Sequence, residues 1–206
     1  VLYLLLHPYL PVFGALLPQI GAAGHDYLAM SRRITAATGG IRFGTNLLES
    51  PADLDIMHPV LELKGKALGR NQEKLCGIIS DILTAPDFTD LDRLRTIIGQ
   101  VRTSMENSIP GAGHSFAARA AAASLTPTAA QREEWSGMSQ TQIIRTASDL
   151  DESGLATLAD TFTAIAAELF TQTRVTSAVT TEESTRQTMH APLAELLAAL
   201  PGKALS

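Results

Sequence analysis

The sequence predicts an α+β domain: an antiparallel or mixed four-stranded sheet with helices packed mainly over one face. Two observations predict it. Apolar residues recur every three or four positions through most of the 206-residue chain, but every second position near residues 41–47 and 61–67. The elements then read strand, two helices, two strands, a block of helices, strand, helix, which is not the strict alternation of a doubly wound sheet.

In order, Val1 to Leu6 is a short apolar run that fits a buried strand. Pro8 and Pro11 close a turn into a helix near Val12 to Ala22, and Asp26 caps a second helix through Thr38. Gly39-Gly40 stops it, because a left-handed residue is cheap only for glycine. Ile41, Phe43, Thr45 and Leu47 alternate with Arg42, Gly44 and Asn46 as a half-buried strand. After a polar turn at Glu49 to Asp55, Leu61, Leu63 and Ala67 alternate with Glu62, Lys64 and Lys66 as its antiparallel mate. Leu75, Ile78, Ile79, Ile82 and Leu83 form a helical stripe ending before Pro86. Thr89 or Asp90 caps the next helix, striped by Leu91, Leu94, Ile97, Ile98, Val101 and Met105. Residues 107–140 are mostly helical around a proline/glycine loop and a Thr-Pro break. A helix follows from Ser153, then a fourth strand over Thr173 to Thr180. Thr181 caps a last helix with Met189, Leu193, Leu196, Leu197 and Leu200 inward, stopped by Pro201-Gly202.

Composition narrows the function classes. A chain of this length is one large domain or two small ones, and the reading adopted is one α+β domain over 1–206. A net charge of −5 with no run of like charges argues against a nucleic-acid surface. Aromatic residues are 5% of the chain, too few for base-stacking platforms. The apolar N-terminus lacks a basic start, and Pro8, Pro11 and Pro18 interrupt it short of the ~20 residues a membrane helix needs. Val1 therefore reads as a point inside a longer polypeptide. Cys76, the lone cysteine, sits in an apolar stripe and reads as a buried, inert thiol.

Each candidate for chemistry has a plainer rival. Gly113-His114-Ser115-Phe116-Ala117 has the G-x-S-x-G/A shape of a nucleophile elbow, but no β-branched run precedes it. The third triad member would be His190, inside a predicted helix. The plainer role for Ser115 is to cap the alanine-rich helix. None of His7, His25, His58, His114 and His190 lies four residues from another, and neither H-E-x-x-H nor H-x-x-E-H occurs. His58 and Glu62 are four apart on a strand, where that spacing does not bring them together. Thr38-Gly39-Gly40 follows a helix and lacks the lysine of a phosphate loop. Consecutive Glu133 and Glu134 point about 100° apart on a helix and read as a solvated face. The alanines of 117–123 read as a seam where two backbones pack closely. The residues alone assign no catalytic, cofactor-binding or metal-ligating position.

Several stretches, taken together, resemble the presequence-protease branch of the insulin-degrading-enzyme and pitrilysin (inverzincin) family of zinc metallopeptidases. Tyr9-Leu10-Pro11-Val12-Phe13 resembles its "YLPLF". Asp26-Tyr27 followed by Thr38-Gly39-Gly40-Ile41 resembles "DY…TGGI". Gly113-His114-Ser115-Phe116-Ala117, Leu125-Thr126-Pro127 and Trp135-Ser136-Gly137-Met138-Ser139-Gln140 resemble "SGHxYA…LTPAG…xSGMxQ". They come in the family's order over residues 9–150. Only His7 and Pro8 separate the first predicted strand from Tyr9, a shorter loop than the family usually has.

The resemblance implies a chain of four related units in two halves of a closed chamber. The H-x-x-E-H zinc site lies in the first unit, where zinc and a glutamate base would activate water. This sequence resembles the third unit, so no functional residue carries over to it. The implied role is a non-catalytic C-terminal-half segment helping to enclose short unfolded peptides, with zinc held elsewhere. The alternative is a metal-free structural or binding relative. Implied partners are peptide substrates and the N-terminal half and fourth unit of the same chain, with no nucleic acid and no membrane. An inter-domain face left open is an apolar patch that favours dimerisation of the isolated segment. A bacterial cytoplasm and a mitochondrial or plastid matrix both fit the resemblance.

Overall fold

The computed structural model describes residues 7–53 and 56–202. They fold as α+β, rich in helix, with two separate two-stranded sheets. The chain forms two compact units, the first from residues 7–16, 43–63 and 91–158, the second from 17–42, 64–90 and 159–202.

After a 3-10 turn at His7–Tyr9, α1 spans Leu10–Leu16 and buries Leu10, Val12, Phe13 and Leu16. It is shorter than the helix expected over Val12 to Ala22. Pro18 disfavours the helical region for Leu17 and has no N–H to donate, so the chain tightens into a 3-10 turn at Leu17–Gln19. Strand β1, Gly21–Ala22, follows and pairs antiparallel with β4, Pro86–Asp87. Helix α2, Tyr27–Ala37, starts where Asp26 accepts the Ala29 N–H at 2.7 Å, as the sequence predicts. Gly40 then takes φ +114, a conformation that L side chains rarely adopt.

The alternating stretches become β2, Ile41–Glu49, and β3, Met57–Gly65. Lys66 N–H donates to Gly40 O (3.3 Å) and Ser50 N–H to Ile56 O (3.0 Å). Gly39 N–H also donates to Lys66 O (2.7 Å), so two residues oppose Lys66 at the open end; beyond it the bonded positions are equally far apart on each strand, as in an antiparallel hairpin. Ile41 and Leu47 are buried on one face, while Arg42, Gly44, Asn46 and Leu48 are exposed on the other. Gly14 lets α1 approach this hairpin closely. A Cβ there would lie 3.2 Å from Leu61 Cδ1 and 3.4 Å from Phe43 Cβ.

Helix α3, Gln72–Thr84, buries Leu75, Cys76, Ile78, Ile82 and Leu83. Helix α4 runs from Leu91 to Ala122, far beyond the expected loop. Pro110 is inside it, and one residue, Ala112 (φ −121°, ψ 18°), departs from helical geometry. Two helical stretches meet across a kink there, between Gly111 and Gly113 and just after the proline, whose missing N–H costs the first stretch one hydrogen bond. Helices α5 (Pro127–Ser136) and α6 (Met138–Ser148) follow. In the first unit α4 packs against α1, α5 and α6 around Phe13, Leu94, Ile97, Ile98 and Ile144.

Helix α7, Glu152–Leu169, begins in the first unit and passes into the second, where Phe162 stacks on Phe88 (5.7 Å between centroids). The last helix, α8, is Glu183–Ala199 and packs on α3. Helix α2 also packs on α3 and ties to it through Arg33–Asp81 at 2.7 Å. The N-cap of α8 is Glu182, without a side-chain cap bond, rather than Thr181.

The four-stranded sheet is therefore corrected to two sheets of two strands. The strand expected at Thr173 to Thr180 is irregular. Alternation specifies a strand only where one face is buried, and here every residue but the half-buried Val175 is exposed. The strand expected at Val1 to Leu6 lies outside the described residues.

Candidate functional site

Ser115 is the third residue past the Ala112 irregularity, inside α4. A nucleophile elbow needs a strand feeding a strained turn, and here helix precedes helix. Ser115 is a helix-start residue, but not the cap. Phe116 is buried, and Arg119 lies over its ring (5.6 Å) while donating to Ser136 O at 2.8 Å. Ala117, Ala118, Ala120 and Ala121 are exposed, so the alanine seam has no partner backbone among the described residues. His25, His58, His114 and His190 are exposed, and only His7 is buried. Among the described residues no three His, Cys, Asp or Glu side chains converge as metal ligands. No donor set among the described residues fits a zinc ion.

What the structure does bring together is a clasp around the first turn. Trp135, 6% exposed, donates its Nε1–H to His7 O at 2.9 Å, and its ring lies 5.2 Å from the His7 ring. His7 Nδ1 is 2.9 Å from Gln131 Oε1, so the proton sits on Nδ1. Gln131 in turn donates to Glu134. Gln140 is buried, and with its amide oriented to satisfy both partners it donates to Glu134 O (2.9 Å) and Pro8 O (3.1 Å). Glu133 accepts the Ser139 N–H at 3.1 Å. The Glu133-Glu134 pair is thus half-buried and hydrogen-bonded, a correction to the solvated face expected of it. Local sequence sets up the clasp. Thr126 caps α5 by accepting from Ala129 N–H (3.1 Å), and Pro127 occupies the first turn, where its missing N–H costs nothing.

Beside it, Glu106 Oε1 accepts from Arg145 Nε (2.7 Å) and Arg102 Nε (3.2 Å), and Arg102 reaches Asp149 at 2.8 Å. The Arg145 hydrogen bond, with Arg102 behind it, holds the Glu106 carboxyl below the usual carboxylate range. The Asp149 and Glu106 bonds raise Arg102 above its ordinary value. Asp151 accepts from Gly154 N–H (2.7 Å) and Ser153 Oγ–H (3.1 Å) at the start of α7, which lowers it too. Burial pushes the Cys76 thiol up, in keeping with an inert core cysteine.

A depressed carboxyl contributes stability above its unfolded value, and that contribution is lost as pH falls through the lower folded value. The thermal stability of the native chain is therefore expected to fall below about pH 4, near the ordinary glutamate value. Glu106→Gln should flatten that part of the profile while leaving the neutral-pH fold intact; an unchanged profile would remove Glu106 from the account.

Trp135, Ser139 and Gln140 of the clasp lie in a stretch that resembles a family signature, and comparison with known proteins decides what it signifies. Residues 2–146 match the family described as Peptidase M16 (subfamily C) associated. The chain belongs to that family. It is 28% identical over 149 residues, 72% of its length, to the mitochondrial presequence protease of Xenopus laevis. It is 31% identical over 144 residues, 70% of its length, to that of Danio rerio. It is also 30% identical over 131 residues, 64% of its length, to Protein HypA of Clostridium perfringens. In each case the chain spans 14% of the relative's length. The family match covers the clasp, α4 and the hairpin, and ends inside α6. Sequence reasoning finds Trp135, Gly137 and Gln140 as signature residues but not their partners. His7 and Gln131 are 124 positions apart, and no spacing rule links them.

Proposed function

We propose that this chain is a non-catalytic segment of the C-terminal half of a zinc metalloendopeptidase, a single module of a larger four-unit chain that degrades short unfolded peptides. Its role is to help enclose the substrate chamber and to support the unit that follows. The observation that carries this reading is the match of residues 2–146 to the peptidase-associated family. Relatives named presequence proteases, of which the chain spans 14%, add to it. Zinc is held by a unit outside this chain, and peptides meet it in the assembled enzyme. The relatives named mitochondrial support an organelle matrix, and the Clostridium relative supports a bacterial counterpart. Among the described residues no helix is long and apolar enough to cross a membrane.

The test compares the 206-residue chain with the full-length polypeptide, using metal analysis and hydrolysis of a quenched fluorescent peptide. The chain alone is expected to hold no stoichiometric zinc and to cleave nothing, whereas the full-length protein does both and loses activity to a chelator. Zinc or cleavage in the chain alone would overturn the assignment. A full-length protein without zinc would overturn the enzyme and leave the metal-free binding relative.

A further inference from the structure

The solvent face of the β2–β3 hairpin ends in a group of cations. Residues two apart on a strand share a face, and the hairpin bonds set Gly40 opposite Lys66. Arg42 therefore stands directly opposite Lys64, Lys66 follows one residue past the end of β3, and all three are exposed. Like charges directly opposite each other destabilise a sheet, so this arrangement has a cost within the fold. Lys66 is also held in place. Its stem lies over Gly39, where a Cβ would come within 2.9 Å of its Cε, and its backbone bonds Gly39 and Gly40. Among the described residues of the hairpin, Glu62 is the single carboxylate on that face, and it accepts from Asn46 at 2.8 Å.

We propose that this end of the hairpin is a docking surface for an acidic peptide segment in extended conformation. Charge complementarity selects the acidic side chains, because Arg42 and Lys66 leave this end net positive beyond the Lys64 and Glu62 charges. Spacing selects the extended backbone. Opposed residues are about 5.5 Å apart and successive same-face residues about 7 Å, which matches alternate side chains of an extended chain. The chain's net charge of −5 repels acidic ligands in general, so capture depends on this local cluster.

The test uses the 206-residue chain and fluorescein-labelled octapeptides of alternating Glu-Ser or Lys-Ser, followed by anisotropy. The Glu-Ser peptide is expected to bind, the Lys-Ser peptide not, and raising salt from about 50 to about 500 mM should weaken binding about tenfold. Reversing both Arg42→Glu and Lys66→Glu should cost at least about tenfold in affinity. Arg42→Glu alone places opposite charges across the ladder, so its melting temperature should not fall while its affinity does, which separates lost binding from lost folding. No binding of the Glu-Ser peptide would overturn the proposal, as would equal binding by the reversed variant. Displacement by millimolar inorganic phosphate as effective as by unlabelled peptide would overturn it too, showing a simple anion site. Binding is read on this chain alone, so the result is independent of whether the full-length protein is a peptidase.

Discussion

Replacing Trp135 with alanine is expected to destabilise the first unit by about 4 kcal/mol, in the range for deleting a large buried aromatic. The ring is 6% exposed and packs at a tilt against His7, and its N–H satisfies the His7 carbonyl. Removing it opens a void and leaves a buried acceptor without its donor. Urea denaturation followed by circular dichroism checks this, since the variant loses the chain's only tryptophan. Trp135→Phe keeps a ring but removes the donor and part of the indole's volume, so it should cost about 1–3 kcal/mol. A loss below about 1 kcal/mol for the alanine variant would mean that the N-terminal turn is anchored elsewhere.

Gly137→Ala is expected to cost about 1–3 kcal/mol, the usual range for forcing atoms into a filled site. Gly137 joins α5 to α6, ending one helix and starting the next. Its φ of −99° suits any residue, so the requirement is steric. A Cβ would lie 2.6 Å from Glu133 O and equally close to Glu133 Oε1. The carboxylate can swing away, at the expense of its bond to Ser139 N–H, but the carbonyl is fixed by its own bond from Gly137 N–H at 2.7 Å. Differential scanning calorimetry of the two proteins measures the effect, and Gly137→Ala combined with Glu133→Ala should recover only the carboxylate's share. Full recovery would show that the backbone contact is harmless.

The parts of the fold legible in the sequence are those with local causes. The Asp26 cap, the Gly39-Gly40 stop, the α3 stripe with Cys76 and the β2–β3 alternation each depend on close neighbours in the chain. The misread parts depend on distant partners. Thr173 to Thr180 has the alternation of a strand but no face to bury. Gly21–Ala22 and Pro86–Asp87 pair across the second unit but are too short to carry a pattern. Pro110 reads as a helix stop because its missing N–H is a local fact, whereas the packing that carries α4 past it is not. The same holds for the clasp: Trp135 and Gln140 stand out as a motif, but their hold on His7 and Pro8 does not. The alanines of α4 show the converse, since small size permits close packing without requiring it.

The clasp also fixes an order of events during synthesis. Trp135 grips a carbonyl 128 residues behind it. Closing an interval that long has a large entropic cost and contributes little until α5 and α6 exist. At ~5–20 residues per second, the His7 turn leaves the ribosome on the order of ten seconds before Trp135 is made. For most of that interval Leu10, Val12 and Phe13 lack α4, the helix against which α1 packs. The strip of chain that carries the first family signature thus waits for segments made much later, and a chaperone that shields short apolar segments would find its site there.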